Sequence, residues 1–193
     1  MTETGETARP ERRESMTRAG SAISTWRTGP NVLGIYLNDH LAGATAGAEL
    51  ARRAAGSAQD REDHAVLRGF AAEVAQDRVA LLNIMAALGI PVRTYKVYAG
   101  WIGEKAGRLK FNGRLFTRSP LSRLEELELL QLGVEGKAAG WRTLRVLADT
   151  DQRLEPARLD ELIARARRQA DLLEDLRVRA ADQVISSRPR SGR

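Results

Sequence analysis

Residues 121–144 read LSRLEELELLQLGVEGKAAGWRTL. Leu121, Leu124, Leu127, Leu130, Val134, Trp141 and Leu144 recur at three- and four-residue steps, the spacing that aligns one face of an α-helix. Ser119-Pro120 opens this helix, because a proline in the first turn lacks only an amide that has no helical partner. The pattern predicts a helix from Pro120 to about Asp151. Gly133, Gly136 and Gly140 fall inside it, and each costs about 1 kcal/mol relative to alanine. Two explanations fit. One is close backbone approach to small residues of another helix, with Gly43, Ala44, Gly47 and Ala48 as its counterparts. The other is a bulge or kink that opens a pocket beside Glu135 and Lys137, marked by a local π-turn.

The same period extends in both directions. A first helix is predicted from Val32 to Ala55, with Leu33, Leu37, Leu41, Ala44, Ala48 and Ala51 on one face. Gly29-Pro30-Asn31 punctuates the chain before it. Ser57 is the expected cap of a second helix, Ala58 to Leu88, striped by Leu67, Phe70, Val74, Leu81, Met85 and Leu88. Gly89 and Pro91 stop it. Pro156 opens a last helix to about Val184, with Leu159, Leu162, Ala166, Leu173, Leu176 and Ala180. Four long helices predict an all-α, antiparallel four-helix bundle. The first and last connections are short. The middle one, residues 92–118, is long and is expected to hold a short helix near Val97–Leu109. One long crossover is the topology of the ferritin-like class.

Residues 1–30 carry almost no large apolar side chains and read as a disordered tail, with Trp26 as its one anchor and Met16 as an alternative start. The bundle is expected over residues 31–185, and residues 186–193 form a basic, disordered tail. The chain of 193 residues has no cysteine, which removes disulfides, thiolate metal sites and cysteine nucleophiles together. No stretch approaches the roughly 18 apolar residues of a membrane span. No apolar region follows Arg12-Arg13, so an export signal is not expected. These features predict a cytoplasmic protein.

Net charge is +6, and its location is informative. Arg93, Lys96, Lys105, Arg108, Lys110, Arg114 and Arg118 face only Glu104 in their stretch, an excess equal to that of the whole chain. Lys105, Arg108, Lys110, Arg114 and Arg118, interleaved with Trp101, Phe111 and Phe116, are the candidate anion-binding residues, suited to phosphate backbones. The plainer reading makes the aromatics plugs at one end of the bundle and leaves the cations solvated. No helix-turn-helix, zinc finger or single-strand platform motif accompanies them.

Three strings resemble a bacterial, actinobacterial-type family similar to ferritin-like four-helix bundles. They are Tyr36-Leu37-Asn38-Asp39-His40-Leu41-Ala42-Gly43-Ala44-Thr45, Gly103-Glu104-Lys105-Ala106-Gly107-Arg108-Leu109-Lys110 and Leu132-Gly133-Val134-Glu135-Gly136-Lys137. The resemblance covers residues 32–185. It implies the fold and carries no activity.

A di-iron site of the ferritin-like kind needs two Glu-x-x-His pairs. The chain has two histidines, His40 and His64, preceded at that spacing by Leu37 and Arg61, so the standard ligand set is absent. An atypical site for Fe, Mn or Zn would draw on Asp39, His40, Glu73, Asp77, Glu128 and Glu135, since carboxylate and imidazole ligands suit those metals. Against it stands a solvated helix edge or a buried ion pair, with Asp77 meeting Arg78 or a neighbouring helix and Lys137 neutralising Glu135. Motifs for phosphate loops, dinucleotide folds, nucleophile elbows and zinc proteases are missing. The sequence therefore reads as a non-catalytic structural or interaction module that self-associates and needs no cofactor. The alternatives are a metal-binding or oxidoreductase-like bundle and a basic nucleic-acid- or anion-binding protein.

Overall fold

A computed structural model describes residues 32–58, 60–93 and 120–186. Four helices account for nearly all of them: α1 (Val32–Ser57), α2 (Arg61–Ala87), α3 (Pro120–Leu147) and α4 (Pro156–Ser186). No strand occurs among the described residues. No helix there is long and apolar enough to cross a membrane. The two expected tails, Trp26, the short helix near Val97–Leu109, and the anion candidates Lys105, Arg108, Lys110, Arg114 and Arg118 lie outside the described residues.

Most of the predicted stripe residues become the core, whereas Leu121 at the start of α3 is exposed and Leu33, Ala44, Ala48 and Leu124 are half-buried. Leu37 and Leu41 of α1, Leu67, Phe70 and Met85 of α2, Leu127, Leu130 and Leu144 of α3, and Leu159, Leu173 and Leu176 of α4 are all buried. Burial of each such side chain contributes on the order of 1.5–3 kcal/mol. Helices α3 and α4 pack most closely, tied at their edges by Gln131 to Glu174 at 3.3 Å and Arg145 to Asp160 at 3.2 Å.

Helix boundaries differ from the sequence reading in two places. Asp60, not Ser57, caps α2: its carboxylate accepts from the amides of Glu62 at 2.7 Å and Asp63 at 3.4 Å. Ser57 remains in α1 and turns its hydroxyl back to the Ala54 carbonyl. A carboxylate beside the positive end of a helix dipole is also the better charge match. Helix α3 stops at Leu147, four residues early, where Thr150 and Asp151 turn their amides back onto the Leu147 carbonyl.

The end of α2 is closed by Gly89, whose φ of 68° suits a residue without Cβ. The amide of Ile90 bonds to the Met85 carbonyl and that of Gly89 to the Ala86 carbonyl, the paired bonds of a Schellman terminus. Two other segments fasten here. Asn38, 1% exposed, donates to the Pro91 carbonyl at 3.2 Å and accepts from the Arg93 amide at 2.8 Å. Arg153, from the α3–α4 turn, donates to the Leu88 carbonyl at 3.2 Å. At the other end of α2, Asp63 meets Arg123 of α3 and Arg179 of α4.

Candidate functional site

Helices α1, α2 and α3 line a cavity of about 740 Å³ that opens to solvent, with Gly43, Gly133 and Gly136 exposed. Its walls are mainly apolar: Leu37 and Leu50 from α1, Phe70 and Val74 from α2, Leu130 and Val134 from α3. Gly43 and Gly47 of α1 and Gly133 and Gly136 of α3 also line it. A Cβ built on any of these four would meet nothing within 4 Å. Close backbone approach, the first explanation for these glycines, is therefore overturned there: all four positions face open space. A pocket does lie beside Lys137, as the second explanation had it, but α3 passes it as continuous α-helix with no π-turn.

Gly140 is the exception. A Cβ there would lie 2.6 Å from His40 Cδ2 and 2.9 Å from Nε2. The imidazole lies over the bare backbone of α3. It is held by a 3.1 Å bond between Nδ1 and the Tyr36 carbonyl. That carbonyl can only accept, so Nδ1 carries the proton. The Tyr36 ring stands 4.2 Å from the imidazole, centroid to centroid, and its hydroxyl reaches Thr143 Oγ1 at 3.2 Å.

At the inner wall, three helices contribute to one polar cluster. Asp77 of α2 is 3% exposed. Lys137 Nζ of α3 donates to Asp77 Oδ2 at 2.6 Å and to Gln169 Oε1 of α4 at 2.5 Å. Gln169 Nε2 donates to Glu73 Oε2 at 2.9 Å and to Asp77 Oδ2 at 3.3 Å. Arg165 Nη2 approaches Asp77 Oδ1 to 2.5 Å. That contact is an ion pair without aligned hydrogen-bond geometry, so neither atom completes a hydrogen bond. Two cations thus balance two carboxylates in a largely buried cluster, the condition under which buried charge is tolerated. Asp77 pairs with neighbouring helices, as one expectation had it. Lys137 does not serve Glu135, which is exposed, and Arg78 goes instead to Thr45 at 2.9 Å.

Burial pushes the Lys137 ammonium below the usual lysine value of 10.5, against the opposing pull of Asp77. The unfolded chain then holds more protons than the folded one between that lowered value and 10.5. Stability must rise with pH across this window, and the full penalty applies below it. Urea unfolding of the native chain and of Lys137→Met from pH 7 upward should show the native chain gaining on the variant as pH nears 10.5. A constant difference would mean that Lys137 titrates normally.

The six metal candidates do not converge. Asp39, Glu128 and Glu135 are exposed, and His40 is half-buried and bonded to Tyr36. Glu73 and Asp77 alone come together, engaged by Gln169, Lys137 and Arg165. Among the described residues, no group of three or more His, Asp or Glu is placed to hold a metal ion.

Comparison with family models, with curated proteins and with solved structures finds no match to this chain. The site must be read from its own chemistry. Sequence reasoning missed Arg165, Gln169 and Asn38. Gln169 left a signal, since it occupies a stripe position between Ala166 and Leu173, where only a satisfied polar group belongs.

Proposed function

We propose that this chain is a non-catalytic binding module, a bundle of the ferritin-like class whose cavity receives a small apolar molecule. The cavity itself carries the reading. At about 740 Å³ it falls within the roughly 300–1,000 Å³ typical of small-molecule sites. Four glycines keep it open. The ionised groups at its wall are paired in charge with one another, which suits holding a ligand rather than transferring protons to it. Cross-helix pairs fall in reverse order along α3 and α4 and along α2 and α4, which supports an antiparallel arrangement.

The test is binding of a neutral hydrophobic fluorophore, N-phenylnaphthylamine, to the full chain. Saturable binding is expected, and Gly136→Leu, which fills the cavity, should weaken it by tenfold or more, about 1.4 kcal/mol. Absence of saturable binding, or a Gly136→Leu chain that binds as well, overturns the reading. Self-association is the second reading, favoured by Leu132, Val146 and Ile185, exposed at 71%, 72% and 69%. Light scattering on the same samples reads it directly as a concentration-dependent mass.

A further inference from the structure

The polar atoms in the cavity wall are unevenly matched: Asp77 Oδ1 of α2 has at least the Arg165 guanidinium before it, whereas the donors of α3 are left over. Lys137 and Trp141 both line the cavity. They are four residues apart, so they share one helix face. An ammonium has three donors. Two of those on Lys137 go to Asp77 and Gln169. Trp141 is 3% exposed, and its Nε1–H has no partner among the described residues. An indole N–H can only donate, and a buried donor left unmatched is costly. On α3 this wall therefore offers donors without an acceptor, while its unmatched acceptor, Asp77 Oδ1 of α2, already faces Arg165 Nη2 at 2.5 Å.

The charge of the missing acceptor follows from the neighbours. Lys137 and Arg165 are already balanced by Asp77 and Glu73. Asp77 also lines the cavity. A carboxylate brought here would be buried beside Asp77 with no cation left for it, and an ammonium would be buried beside Lys137. An uncharged oxygen meets neither penalty.

We infer that the molecule held in this cavity presents a neutral oxygen acceptor, such as a ketone, ester or amide carbonyl, to Lys137 and Trp141, with its apolar remainder along the glycine wall. The inference rests on the binding reading above and specifies the ligand's polar end.

The test uses displacement of N-phenylnaphthylamine from the full chain by four molecules of equal carbon number: decane, methyl octyl ketone, decanoate and decylammonium. The ketone is expected to displace about tenfold more tightly than either ion. Trp141→Phe, which keeps a ring and removes the N–H, should weaken the ketone severalfold and leave decane unchanged. Decanoate or decylammonium binding as tightly as the ketone overturns the inference while leaving the cavity reading intact. So does a Trp141→Phe chain that binds the ketone normally. Failure of the fluorophore to bind at all removes both.

Discussion

Asp77→Ala is expected to lower the unfolding free energy by about 3–5 kcal/mol, the usual cost of removing one partner from a buried ion pair. The carboxylate is 3% exposed and faces both Lys137 and Arg165. Its loss leaves two buried cations facing only Glu73 through Gln169. For a chain of this size the melting temperature should fall on the order of 10 °C. Thermal and urea unfolding measure it. Replacing Asp77, Lys137 and Arg165 together by apolar residues of similar volume should recover most of the loss, because apolar packing substitutes well for a buried ion network. A loss below about 1 kcal/mol, the range of surface pairs, would mean that water reaches the cluster and screens it.

Gly140→Ala and Gly136→Ala should move stability in opposite directions. Both remove a glycine from the interior of α3, which favours the helix by about 1 kcal/mol. At Gly136 the new methyl enters open space, and the gain should be kept. At Gly140 it would stand 2.6 Å from His40 Cδ2. The imidazole cannot yield without losing its bond to the Tyr36 carbonyl and its contact with the Tyr36 ring. Overpacking of this kind costs about 1–3 kcal/mol. The net change expected at Gly140 is therefore a loss, about 1–2 kcal/mol at the upper part of that range. His40→Ala in the same chain should cancel most of it. Equal effects at the two positions in urea unfolding would show that the imidazole moves aside freely.

The helices were legible because leucine and alanine recur at three- and four-residue steps without interruption. Their ends were less so. Ser57 and Asp60 both carry side-chain oxygens able to cap α2, and only the geometry of the α1–α2 turn selects Asp60. The polar cluster was half visible. Asp77 stood out as a carboxylate beside an apolar stripe. Its partners come from α3 and α4, 60 and 88 residues further along the chain, and nothing local fixes that choice. Lys137 was read against Glu135, yet residues two apart on a helix point in different directions. The cavity was legible only as one of two explanations for the α3 glycines. Glycine marks a close approach and an open wall in the same way, and Gly140 and Gly136, four residues apart, do one each.

The four glycines of the open wall have a consequence for how such a chain can change over generations. At Gly43, Gly47, Gly133 and Gly136 nothing blocks a larger residue, so the best helix former and the widest chamber are opposite demands at the same positions. A descendant that adapts to a slimmer ligand becomes sturdier by the same substitution. One that adapts to a bulkier ligand must draw on stability held elsewhere, in the leucine layers and the ion network. Capacity and robustness are thus tied together in this fold, with α1 and α3 as the place where the trade is made.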